Sequence, residues 1–172
     1  MVLVPAPLDR QIPFVPAAIW IYLSAMPLLL LTVWVPGSYE RTRAFVSMAI
    51  ALAIAGVVFL LFPATIPRQS PDLSGLTGSA WKLLYAVDTA RNSLPSLHAA
   101  LAAIATSVLG REGRAWRVIG SIWLVAILAA ALATKQHFVV DLVAGLCLGI
   151  GALLIGSRVT NKRLQQVKKQ TD

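Results

Sequence analysis

Charge is what this sequence has least of. Asp, Glu, Lys and Arg together make up 13% of its 172 residues, about half the share of an ordinary soluble domain. So little charge cannot cover a globule in water, which excludes an ordinary soluble enzyme and a charge-rich disordered chain. Cysteine is nearly missing too. Cys147 stands alone in the sequence, so an internal disulfide and a secreted disulfide scaffold are excluded. Met1–Pro7 lacks the basic start of a cleavable signal, and none is expected. No internal repeat or low-complexity tract divides the chain, and a single domain over residues 1–172 is expected.

What is plentiful is apolar surface: 58% of residues are hydrophobic and the mean hydropathy is +0.75. The net charge of +8 would suggest nucleic acid in a soluble protein. In a membrane protein the same excess sets orientation and contacts anionic lipid. Runs without charge predict five spans: Phe14–Val35, Ala44–Phe62, Leu97–Leu109, Val118–Thr134 and Phe138–Ser157, the last broken only by Asp141. A span needs about 20 residues. The third run is short, so it must borrow Asn92–Ser96 or begin below the outer surface.

Lys and Arg fall unevenly on alternate sides of these spans. Ten lie on one side: Arg41, Arg43, Arg111, Arg114, Arg117 and the tail residues Arg158, Lys162, Arg163, Lys168 and Lys169. Five lie on the other: Arg10, Arg68, Lys82, Arg91 and Lys135. The positive-inside rule then puts the tail in the cytoplasm and the amino terminus outside. The expectation is an all-α polytopic bundle in the plasma or inner membrane. The long outer connection, Pro63–Pro95, is irregular at Pro63, Pro67, Pro71, Gly75 and Gly78. It then forms a short amphipathic helix over Ser79–Asp88, with Trp81, Leu84, Tyr85 and Asp88 at helical spacing. Lys82 and Arg91 suit lipid headgroup contacts. The small residues Gly145 and Gly149 permit close helix approach, with Ala129, Ala130, Ala131 and Ala133 offering a complementary surface.

Polar residues at membrane depth are costly and need a reason. The only two histidines, His98 and His137, both start predicted helices on the outer side, near Asp141, Lys135 and Arg68. In His137-Phe-Val-Val-Asp141 the four-residue spacing brings the carboxylate to the imidazole, which fixes its tautomer. An imidazole held this way is a general base or a nucleophile. Pro95-Ser96-Leu97-His98 reads as a helix start, hence an anion site, with a Ser96 hydroxyl and a His98 proton at hand. With Arg68 and Lys135 as cations, the set suits a phosphate attacked by one histidine and protonated by another.

These residues resemble a known family. Pro95-Ser96-Leu97-His98, followed by Thr134-Lys135-Gln136-His137-Phe138-Val139-Val140-Asp141, is similar to the motifs of the type 2 phosphatidic acid phosphatase superfamily. The stretch Asp88-Thr-Ala-Arg-Asn92-Ser-Leu-Pro-Ser-Leu-His98-Ala resembles the branch related to inositol phosphorylceramide synthases. The resemblance runs from about Phe62 to Gly145. It implies a phosphoryl transfer on a lipid phosphate that uses no metal or cofactor. His137 matches the nucleophile that forms a phosphohistidine, Asp141 its orienting partner and His98 the acid for the leaving oxygen. Arg68, Ser96, the Leu97 N–H and Lys135 match the phosphate ligands, while Asp88 and Asn92 brace the outer loop or touch substrate.

The chain also departs from the pattern. Leu61 stands where the first motif carries lysine, and Gln69 where it carries proline. Leu97 replaces the usual glycine of the second motif. Ala131 holds the third motif's arginine position, with Lys135 as the substitute. One span fewer than the common six fits loss of the first helix. Three functions compete: a lipid phosphatase, a phosphotransferase to an alcohol acceptor, and a non-catalytic protein that binds lipid phosphate. Partners are then a lipid phosphate and the bilayer, with no nucleic acid, and the oligomeric state is left open.

Overall fold

The structure, a computed structural model, describes residues 2–35, 37–69, 74–88 and 92–171, with side chains in the last helix up to 163 and at 165 and 166. Pro71 and Arg91, and the side chains of Lys168 and Lys169, lie outside the described residues. The described residues form helices α1 (Pro7–Gln11), α2 (Ile19–Leu23), α3 (Ala25–Leu31), α4 (Ser38–Leu61), α5 (Gly75–Val87), α6 (Leu97–Leu109), α7 (Arg114–Ala133) and α8 (Val139–Thr171). No strand occurs among them, only isolated bridges between Val2 and Thr65 and between Ala64 and Asn92.

Four stretches are long and apolar enough to cross a membrane: Pro16–Trp34, Ser38–Leu61, Arg114–Ala133 and Val139–Arg163. Three of these helices run past the predicted charge-free limits to include Arg41 and Arg43, Arg114 and Arg117, and Arg158 with Arg163. Charge at a helix end does not break it, because long basic side chains carry their heads out to water. The first stretch is built of pieces, with 3-10 turns at Pro16–Ala18 and Thr32–Trp34 flanking α2 and α3. Pro27 has no N–H to offer the carbonyl one turn before it. At the joint, the Ser24 hydroxyl donates to the Ile21 carbonyl (2.5 Å) and accepts from the Trp123 indole (2.8 Å).

The predicted third span does not reach the length of the others. Helix α6 has 13 residues, about 20 Å at 1.5 Å per residue, against a hydrocarbon core of about 30 Å. It does not borrow Asn92–Ser96, since the Ser96 hydroxyl accepts from the Ala99 N–H and caps the helix there. Shortness is tolerated because protein surrounds it: α3, α4, α7 and α8 all pack on α6. Ser107 is its only exposed residue. Four elements, rather than five, therefore have the length to cross.

Large apolar side chains cover the outside of this bundle, with Ile122 66% and Leu154 59% exposed. An apolar exterior of this extent belongs in lipid, and the protein is a membrane protein. Between helices, small residues set the spacing. On α4 the buried stripe Ala44, Ser47, Ala51, Ala55 lies at three- and four-residue intervals. A Cβ on Gly145 would stand 2.3 Å from the Ser96 carbonyl oxygen, and one on Gly149 2.7 Å from that of Ala100. The two glycines thus pack on α6, and not on the predicted alanine surface of α7. With lipid tails as apolar as leucine, such close contact rather than burial from water holds the helices together. Outside the bundle, α5 starts at Gly75, whose φ of 68° is left-handed, so of the two glycines expected to be irregular only Gly78 lies in regular helix. Its face of Trp81 and Leu84 is buried, with Ile19 and Tyr22 in the same cluster.

Candidate active site

The end of α4, the start of α6, the end of α7 and the start of α8 meet at one end of the bundle. Between them lies a cavity of about 120 Å3 whose walls include Arg68, Asp88, Asn92, Leu97, His98, Lys135 and His137. Seven of the nine residues proposed from sequence thus share one cavity. Asp141 and Ser96 stand behind its walls, both fully buried.

The turn from α7 into α8 positions His137. Lys135 N–H donates to Leu132 O and Gln136 N–H to Ala131 O, the bond pattern of a Schellman motif. Its left-handed position usually takes glycine, but here Lys135 holds it at φ 54°. That backbone costs roughly 1–2 kcal/mol for a residue with a Cβ. The ammonium offsets the cost by donating to the carbonyls of Asp9 (2.8 Å) and Ile12 (2.5 Å). The start of α8 is capped by two carboxylates: Asp141 accepts from the Phe138 N–H (2.8 Å), and Asp9 from the Val139 N–H (2.9 Å). Asp9, buried in α1, also accepts from the Ala6 N–H. The amino-terminal segment is thereby tied to the histidine-bearing turn.

The helix begins at Val139, so His137 precedes it and the four-residue spacing to Asp141 is not helical. The Asp141 carboxylate stays 3.8 Å from His137 Nδ1, within ion-pair range but beyond a hydrogen bond. Nδ1 instead lies 3.2 Å from the Ser93 carbonyl. A carbonyl only accepts, so Nδ1 carries the proton and Nε2 keeps its lone pair. Asp141 Oδ1 has no hydrogen-bond partner among the described residues, which leaves buried carboxylate capacity beside the ring.

His98 is held differently. Its Nδ1 is 3.0 Å from the Tyr22 hydroxyl, and the two rings stack at 4.3 Å between centroids. With the tyrosine donating, the imidazole proton sits on Nε2. The imidazoles of His98 and His137 are 6.1 Å apart. One cavity therefore holds a ring with a free Nε2 lone pair and a second ring that has a proton to give once both its nitrogens are protonated.

The two cations are already engaged. Arg68 donates to the carbonyls of Tyr85 (3.2 Å) and Asp88, and its guanidinium lies 4.5 Å over the Tyr85 ring. Lys135 is tied down as described. Asp88 caps α5, and partial burial raises its carboxyl above the ordinary value, against the opposing pull of His137 and Arg68. Tyr22, Ser93, Gln136 and Asp9 are contributors that sequence reasoning missed. A single phenol in an apolar run was the legible signal for Tyr22, because a buried phenol needs a partner. Nothing local marks Asp9. Among the described residues no three of His, Cys, Asp and Glu converge to hold a metal ion.

A bundle of apolar helices with two histidines facing one cavity at its end is the general class that fold and site define. Residues 8–155 match the family model described as the PAP2 superfamily, and the chain belongs to that superfamily. Its members are generally phosphatases or phosphotransferases. No curated protein and no solved structure matches the chain.

Proposed function

We propose that the protein is an integral-membrane lipid phosphatase that hydrolyses a lipid phosphomonoester or pyrophosphate through a phosphohistidine. The pairing of unlike tautomers across 6.1 Å carries this reading. His137 Nε2 gives its lone pair to phosphorus as the bond to the lipid oxygen breaks. His98, protonated on both nitrogens with the Tyr22 hydroxyl oxygen accepting from Nδ1–H, gives its Nε2 proton to that leaving oxygen. Water then attacks the phosphohistidine, returns a proton to His98 and frees His137 and phosphate. Asp141 steadies the positive charge that develops on His137. The Leu97 N–H at the first turn of α6 and the spare N–H groups of Arg68 and Lys135 are the donors for phosphate oxygens, with Ser96 holding that turn in place. The excess of basic residues at the opposite end supports an extracytoplasmic cavity, with α6 as a fifth, partial crossing.

The test is phosphate release from a panel of lipid phosphates in detergent with chelator present. Turnover should appear for some lipid, a phosphohistidine should be trapped, and His137→Ala should abolish both. Full turnover in that variant would refute the mechanism. Transfer to an alcohol acceptor is the second reading. It is favoured by Asp88 and Asn92, which line the cavity beside His137 and belong to the stretch similar to inositol phosphorylceramide synthase-related proteins. Product analysis with and without acceptor alcohols separates the two.

A further inference from the structure

The end of the bundle away from the histidines carries a larger cavity, of about 710 Å3. Helices α7 and α8 each pack on α6, and the cavity is the groove between them, floored by Ala103, Thr106 and Ser107 of α6. Ser107, the one exposed residue of α6, opens into it. Arg43, Arg111 and Arg117 stand at its polar end, and no carboxylate lines it among the described residues. Arg43 is buried and balanced, donating to Glu40 (2.6 Å) and to Ser157 (2.8 Å). Arg111 and Arg117 are exposed and form no ion pair among the described residues. Arg117 makes only a long contact, 3.5 Å, to the Gly110 carbonyl.

The groove changes character along its length. One to two helical turns from the arginines, its walls become Leu124 of α7 with Leu146 and Ile150 of α8. A ligand that satisfies both ends has an anionic, hydrogen-bond-accepting head and a hydrocarbon tail. We infer that this groove binds an anionic phospholipid, its phosphate between Arg111 and Arg117 near the Ser107 and Ser121 hydroxyls, its acyl chain against Leu124, Leu146 and Ile150. Guanidinium groups suit phosphate through paired N–H donors, and basic pockets between spans are recognised lipid headgroup sites. The site is separate from the histidine cavity and independent of any turnover there.

Native mass spectrometry of the whole chain in neutral detergent tests it, with phosphatidylglycerol, phosphatidylcholine and glycerol phosphate as probes. Phosphatidylglycerol should be retained one per chain, about tenfold more tightly than phosphatidylcholine, as expected for two uncompensated arginines. The double variant R111Q/R117Q should lose that preference. Ser107→Trp, which fills the groove from an exposed position, should displace the lipid while the thermal transition in lipid-free detergent stays in place. Equal retention of the two lipids, or unchanged retention in both variants, would overturn the proposal. Competition by glycerol phosphate at equal concentration would overturn a lipid occupant in favour of a free phosphate site.

Discussion

The two ends of the bundle use the same scarce resource, side-chain charge, in opposite ways. At the histidine end every cation in the cavity wall is committed to a carbonyl: Lys135 to Asp9 and Ile12, Arg68 to Tyr85 and Asp88. At the other end Arg111 has no side-chain hydrogen bond among the described residues, Arg117 has only its 3.5 Å contact to the Gly110 carbonyl, and both face a space about six times larger. Committed charge holds a small cavity in one shape, as the proposed phosphoryl transfer requires. Uncommitted charge on flexible stems suits a headgroup that has only to be retained.

The largest separation of the two ends should come from His98→Asn. Loss of a general acid costs roughly 10²–10⁴-fold in rate, and the loss should shrink for a substrate whose leaving oxygen needs no proton. R111Q/R117Q should leave turnover within twofold of the parent. Assays on an alkyl and an aryl phosphate check this, and equal losses on both would break the assignment of His98 as acid.

Gly145→Ala attacks the same end through packing. Its Cβ would stand 2.3 Å from the Ser96 carbonyl, so α6 must move and carry His98 with it. Overpacking of this kind costs about 1–3 kcal/mol, with turnover falling too. Gly151, where an added Cβ would meet nothing within 4 Å, is the control. Gly151→Ala should be neutral or stabilise by up to about 1 kcal/mol. Thermal unfolding of the two variants side by side makes the comparison.

Effects of similar or smaller size test the frame around the rings. Lys135→Met keeps the left-handed backbone cost and loses both carbonyl bonds, for about 1.5–3 kcal/mol. Lys135→Gly should recover part of that through the backbone alone, measured as midpoint shifts in the same detergent. Tyr22→Phe removes the hydroxyl that orients His98. A net loss of about 0.5–1.5 kcal/mol should appear in kcat rather than KM, because no substrate contact is removed.

The smallest effect is at Asp88. Its carboxyl is raised in the folded state, so the folded chain holds the proton more tightly than the unfolded chain does. Stability from this group is therefore greatest below the ordinary carboxylate value. It declines as pH rises through the folded pKa and is level above it. Asp88→Asn should flatten that decline in a plot of unfolding midpoint against pH. A decline of unchanged slope would assign it to another carboxyl.

Helix positions were largely legible because runs such as Ala44–Phe62 and Val118–Thr134 are apolar over the length of a membrane crossing. Their ends were misjudged wherever arginine continued the helix, since charge marks where water begins and not where backbone bonding stops. The break at Ser24 was harder to read. The clue, Pro27, lies three residues beyond the joint, and the compensating bond comes from Trp123, far along the chain. The convergence of candidate residues was legible where the motif is local, as at His98 and His137, which line one cavity. It was not legible where a partner arrives from another helix: Tyr22 for His98, the Ser93 carbonyl for His137, Asp9 for the start of α8.

By itself, the sequence determined the solvent, the helical class and the residues able to do chemistry. Each of these depends on composition, or on spacing within a few turns. Only the tertiary structure decided which group faces Nδ1 of each imidazole, which cations are already committed, and that Gly145 and Gly149 serve α6. Those outcomes depend on contacts between residues tens of positions apart, whose geometry exists only once the helices have packed.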